Sequence, residues 1–265
     1  MIDTHCHLGF NHFIDKVDEV LKQSKEVGVR AVITVSTTSE NCETSRALAE
    51  AHDMVFFSAG VHPLHVDEPL DWDVVRNAGA HPRCVAWGEL GLDKHYKEPD
   101  YALQREILEC QLDHIRTWSN EGLDKPIIVH SRKSFDDLIP VLGNSGIAPE
   151  RFVFHCFTGT PEQATDVLDF GARISFAGAV TFKTAPEVAE AAKLVPEDMV
   201  MVETDAPFLS PEPVRSMRPN VPANVVHIGR FIAEIRGRDP LEFERRLDAN
   251  SIEFFGLPLQ ADPLS

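Results

Sequence analysis

Short runs of Val, Ile, Phe and Met, hardly interrupted by polar residues, alternate along this chain with longer stretches in which apolar residues return every three or four positions. The runs are MIDTHCH (1–7), AVITVST (31–37), MVFFSAGVHP (54–63), CVAWGEL (84–90), PIIVHSR (126–132), FVFHCF (152–157), ARISFAG (172–178) and MVMVETD (199–205). Continuous apolarity of this kind suits strands covered on both faces, as in parallel sheets. Segments 13–28, 101–122, 134–146 and 161–171 carry apolar residues at helical spacing, with Gly near several of their ends. Eight such βα units in about 250 residues predict a (β/α)8 TIM barrel, with residues 1–265 forming one domain. An open, doubly wound sheet has the same alternation of elements, and the position of the polar residues separates the two. In a barrel, chemistry collects at the C-terminal ends of many strands, and here at least five of the eight runs end in His, Glu or Asp.

Composition narrows the function classes. No stretch approaches the roughly 18 consecutive apolar residues of a membrane helix, and the start of the chain lacks the basic and apolar regions of a signal peptide, so a cytoplasmic protein is expected. The five cysteines, Cys6, Cys42, Cys84, Cys110 and Cys156, contain no CxxC pair and are odd in number, which argues against a disulfide framework or a cysteine zinc cluster. A net charge of −17 excludes a broad electrostatic track for nucleic acid, so any phosphate must be met locally, by a few cations or by bound metal.

The strand-end residues are His5, His7, Glu89, His130, His155 and Asp205. Residues two apart in a strand share a face, so His5 and His7 can both point into a barrel while Cys6 points outward. Gathering four imidazoles and two carboxylates in an apolar fold would cost several kcal/mol per unpaired charge, roughly, and a divalent cation offsets that directly. Each residue alone has a plain structural reading: an HxH can be a solvated strand end, His130 a core histidine bonded to a carbonyl, Asp205 a helix N-cap, Glu89 a partner for a lysine. Together, at equivalent points of successive βα units, they read as a metal centre. Six ligands exceed the three or four that one catalytic ion usually takes from protein, and two divalent ions (Mg2+, Mn2+ or Zn2+) sharing a carboxylate account for the surplus.

The motifs HCH (5–7), GELGLD (88–93), IVHSR (128–132), HCFTG (155–159) and ETDAPFL (203–209), with GVHP (60–63) and SFAGAVTFK (175–183), resemble those of the TatD family of metal-dependent deoxyribonucleases, within the amidohydrolase-like barrels. The likeness runs from residue 3 to about residue 256. It implies one ion held by His5, His7, Glu89 and Asp205, and a second by Glu89, His130 and His155, with Glu89 bridging. Related barrels bridge with a carbamylated lysine on the fourth strand, where this chain has Glu89 and no Lys. Lys94 and His95 stand where relatives tend to carry aromatic residues, and segment 210–225 departs from their basic, Asn-Pro-containing stretch while retaining Arg215, Arg218 and Asn220.

The implied chemistry is phosphodiester hydrolysis by a metal-activated water, on DNA ends or single-stranded DNA, with Asp205 and Glu89 as the catalytic carboxylates and Asp205 as general base. Glu203 shares the strand parity of Asp205 one layer deeper and is expected to accept the second N–H of a ligand histidine. His62, Lys94, Arg132, Lys183 and Arg215 or Arg218 are the candidates for phosphate contacts. A lactone, amide or small phosphoester is the alternative substrate, and a non-catalytic scaffold is disfavoured because nothing in a scaffold requires all six ligands. No deaminase signature is present. A monomer with no membrane partner is expected.

Overall fold

The computed structural model describes residues 1–263. Eight parallel strands, β1 (Ile2–Cys6), β2 (Ala31–Val35), β3 (Val55–Ala59), β4 (Cys84–Asp93), β5 (Ile127–Arg132), β6 (Phe152–Phe154), β7 (Arg173–Phe176) and β8 (Val200–Val202), pair in sequence order. The helices between them are α1 (Val17–Glu26), α2 (Ser39–Ala51), α3 (Trp72–Gly79), α4 (Tyr101–Asn120), α5 (Phe135–Gly143), α6 (Pro161–Phe170) and α7 (Pro186–Leu194); α8 (Val225–Ile235) and α9 (Pro240–Phe255) follow β8. The (β/α)8 barrel expected from the apolar runs is therefore present, each strand lying within its run except β4, which continues past CVAWGEL to Asp93. The expected helix over 13–28 starts late, because residues 11–13 form a 3-10 turn and Asp15 takes a positive φ of 59° that no α-helix accommodates.

The ring closes between β1 and β8 through irregular contacts in place of a full ladder. His7 N–H donates to Ala206 O (2.7 Å), Asp205 N–H to His5 O (2.9 Å) and Thr4 Oγ1 to Val202 O (3.0 Å). Buried Asp3 accepts from both the amide (2.8 Å) and hydroxyl (2.6 Å) of Thr204, tying the first strand to the loop that carries Asp205.

Inside the ring, Ile2, Ala31, Ile33, Val35, Phe56, Val85, Ala86, Ile128, Val153 and Met201 form one apolar cluster, stoppered by Phe255 and Leu257 from the end of α9. Each large side chain fully buried there contributes about 1.5–3 kcal/mol. A larger cluster fills the space between strands and helices and contains Cys6, which the register shift after Asp3 turns away from the face that Ile2 occupies. Helix α4 buries one stripe, and two of its buried residues are glutamines that bond to backbone. Gln111 exchanges hydrogen bonds with both backbone groups of Val61, and Gln104 with both of Asp93. Val61 lies in the loop after β3 and Asp93 ends β4, both at the top of the barrel where the polar residues stand.

Candidate metal centre

The inward positions Ile128, Val153 and Met201 continue, two residues at a time, to His130, His155 and Glu203 at the C-terminal ends of β5, β6 and β8. On β1 and β4 simple parity fails. Register shifts lie between Asp3 and Cys6 and between Trp87 and Leu90, and each irregularity contains the residue it re-aims, His5 in one and Glu89 in the other. Cys156 and Asp205 adopt left-handed backbone with φ of 45° and 53°, a conformation that costs L-residues about 1 kcal/mol or more and is concentrated where side chains are aimed for function.

Glu89, buried, is the hub. Its Oε1 lies 2.8 Å from His130 Nδ1, 2.6 Å from His155 Nε2 and 3.4 Å from His62 Nε2. Its Oε2 faces the other way, 3.2 Å from His5 Nε2 and 3.9 Å from His7 Nε2. Asp205 Oδ1 completes that second group at 3.4 Å from His7 and 3.8 Å from His5. The two carboxylate oxygens thus address two separate sets of nitrogens.

The hydrogen bonds on the far side of each ring test whether a cation fits. His7 Nδ1 faces Val35 O (3.2 Å), His130 Nε2 faces Asp93 Oδ2 (3.1 Å) and His155 Nδ1 faces Glu203 Oε1 (3.1 Å). Each of those acceptors requires the proton on that nitrogen, which leaves a lone pair on the nitrogen turned toward Glu89 or Asp205. A lone pair and a carboxylate oxygen do not sit 2.6–3.4 Å apart without a positive charge between them, either a proton or a metal. Imidazole and carboxylate suit Zn2+ or Mn2+, and the donor set fits such ions. His5 is the exception in its support: its Nδ1 is buried and has no hydrogen-bond partner among the described residues.

His62 differs in kind. It is as close to Glu89 and His130 as a ligand would be, and the three could together hold an ion. Its Nδ1, however, accepts the Leu64 amide (3.0 Å), so the neutral ring carries its proton on Nε2, the atom that points into the site. We assign it as a donor. Burial brings its pKa down to about 4 against the pull of Glu89, which keeps it neutral.

The electrostatics follow from the crowding. Burial would push the Glu89 carboxyl up, but His155, His62 and His5, with the His130 hydrogen bond, hold it well below the usual range. Burial acts the same way on Asp205 and is outweighed by the His7 hydrogen bond and the neighbouring imidazoles, so it too is held low. Burial would lower His155, and Glu89 with Glu203 more than reverse this; His130 is raised against burial by Asp93 and Glu89. Cys156, which lines the cleft, is pushed far up by burial and by Asp205 and Glu203, so its thiol is not a nucleophile at neutral pH.

Of the remaining residues singled out in the sequence, Glu203 bonds both His155 and the Cys156 amide (2.7 Å). Arg132 lines the cleft, which measures about 430 Å³ and also includes His7, Phe10, His62, Tyr96 and Phe208. Lys94 does not line it. The Lys94 ammonium pairs with Asp137 over the Tyr101 ring and faces a neighbouring cavity of about 510 Å³. Lys183 and Arg215 do not line the cleft either: Lys183 is exposed and Arg215 lies 3.8 Å over the Phe182 ring. The Arg218 guanidinium bonds Ser210 and the backbone of its own loop. Sequence reading passed over Asp93, although it ends the GELGLD motif; its place as acceptor for His130 was readable from its even spacing from Glu89 along one strand.

The model of the TatD related DNase family matches residues 2–256. The chain is 36% identical over 240 residues to the uncharacterized metal-dependent hydrolase YcfH of Escherichia coli K12, covering 89% of this chain and 88% of that protein. It is 31% identical over 270 residues to the 3'-5' ssDNA/RNA exonuclease TatD of Erwinia billingiae, covering 97% and 100%. Among solved structures, the TatD homolog YJJV from Escherichia coli superposes with a TM-score of 0.90 at 28% identity, covering 97% of this chain and 98% of that one.

Proposed function

The chain belongs to the family of TatD-related DNases and is a metal-dependent hydrolase, and from that premise we propose that it hydrolyses phosphodiester bonds at the ends of single-stranded nucleic acid, the activity carried by one relative's name. In this reading His5, His7, Glu89 and Asp205 hold one divalent ion, and Glu89, His130 and His155 a second. The observation that carries it is the division of Glu89, whose two oxygens face different sets of imidazole nitrogens.

Divalent ions bound there supply Lewis acidity and bring the pKa of water toward neutrality. Asp205, held ionised, takes the proton of the attacking water. His62 donates its Nε2–H to a phosphoryl oxygen without adding charge, since burial keeps it neutral. Arg132, exposed at the mouth of the cleft, neutralises a phosphate beside the scissile one. Glu203 and Asp93 hold His155 and His130 in the tautomer that presents a lone pair.

Metal-reconstituted protein should shorten single-stranded DNA with a free 3' end and leave the same strand with a blocked 3' end intact, read as product ladders on a gel. Turnover of a lactone or amide panel with DNA untouched would replace this reading.

A further inference from the structure

Among the described residues, the large apolar side chains exposed to solvent include two aromatic rings, Tyr96 (51% exposed) and Phe208 (45%), and both line the metal-site cleft. They stand on opposite walls. Tyr96 follows β4 and Phe208 follows β8, and in a ring ordered β1 to β8 those strands are half a turn apart. Glu89, on β4, and Asp205, just past β8, line the same cleft.

Neither ring is a loose ornament. The Arg132 guanidinium sits 5.3 Å from the centre of Tyr96, and His95 meets its edge at 4.8 Å. Phe208 is braced edge-on by Phe10 (6.2 Å) and His7 (6.3 Å), and Phe10 in turn stacks on His7 at 4.6 Å. Rings so held, with a face open to water, lose little freedom when a flat partner covers them.

We propose that Tyr96 and Phe208 stack the two nucleobases that flank the scissile phosphate, so that the site accepts only bases free of a duplex. The inference rests on the nuclease reading above and deepens it. A strand crossing the barrel mouth from the β4 wall to the β8 wall puts its phosphate over Glu89 and Asp205 and one base against each ring. A base inside a duplex has both faces covered by its neighbours and offers neither ring a surface. Stacking also fits the charge of the chain: with a net charge of −17 there is no broad basic footprint to hold a polynucleotide, and base–ring contact, which is tolerant of sequence, supplies the affinity instead.

The test compares wild type with Tyr96→Leu and Phe208→Leu, both exposed and free of core packing, as metal-loaded enzymes. The substrates are a single-stranded oligodeoxynucleotide and the same strand with abasic residues at the two flanking positions. Wild type should show a KM about tenfold lower for the intact strand, the equivalent of roughly 1.4 kcal/mol of stacking. Each substitution should reduce that discrimination, and the pair together should abolish it, with kcat changed less than KM. Independently, 2-aminopurine at a flanking position should be quenched on binding to Asp205→Asn protein and less so when either ring is also replaced. Cleavage of the intact strand with KM unchanged by either substitution overturns the stacking while leaving the nuclease reading in place. Failure of wild type to cleave single-stranded DNA overturns both.

Discussion

Glu89 is a carboxylate hemmed in by imidazoles, and the consequence reaches His155 at 2.6 Å. Burial alone would lower the pKa of His155, yet Glu89 and Glu203 raise it well above the ordinary value. In metal-free protein, a proton on His155 therefore stabilises the fold fully below the ordinary histidine pKa of about 6.5, and that contribution is lost as the pH rises through the raised value. In the proposed site a divalent ion would compete for the same Nε2 lone pair. Metal affinity should thus increase from about pH 6 to about pH 8, with protons released on binding. Calorimetric titration of Mn2+ in buffers of different ionisation enthalpy measures both quantities. Affinity that is flat across this range, with no proton released, would show that His155 is not a ligand.

The aim of the site is set by how elements approach one another. Strands β4 and β5 come so close at Gly91, where φ is 151°, that a Cβ there would fall 1.9 Å from the His130 carbonyl oxygen. That contact lies beside both Glu89 and His130. Gly91→Ala should destabilise the protein by about 2–4 kcal/mol, lowering Tm by about 4–8 °C, and weaken metal binding as the strands part. Scanning calorimetry with a metal titration measures the two effects. A Tm within about 1 °C of wild type would mean the strands separate at no cost. Such irregularities explain the limits of reading elements from pattern. Each apolar run marks a strand because parallel strands are covered on both faces, although β4 runs on to Asp93. The shifts at Asp3–Cys6 and Trp87–Leu90 leave no periodic trace, so period two alone places neither His5 nor Glu89. His155, Glu203 and Asp205 also lie past the last residues of β6 and β8, on loops whose course depends on the left-handed turns at Cys156 and Asp205.

Across the whole molecule, charge and chemistry are segregated. The chain carries a net −17, while five imidazoles (His7, His62, His65, His130 and His155) and the Arg132 guanidinium line one cleft at the C-terminal face of the barrel. The sequence alone made the converging set legible, because a barrel forces strand ends together whatever lies between them. It could not tell which surface cations turn toward the cleft: Lys94 is drawn off by Asp137 and Arg215 by the Phe182 ring, partners many residues away. Nor did pattern single out Gln104 and Gln111, polar residues on the buried stripe of α4 that fix the backbone beside His62 and at Asp93. The central claim is that Glu89 bridges two ions. It is tested most directly by elemental analysis of wild type and Glu89→Ala after equilibration with Mn2+ and removal of free metal, with hydrolysis of single-stranded DNA measured on the same samples. Wild type should retain about two equivalents per chain and Glu89→Ala should lose both the metal and the hydrolysis. Two equivalents retained by Glu89→Ala at full activity would contradict it.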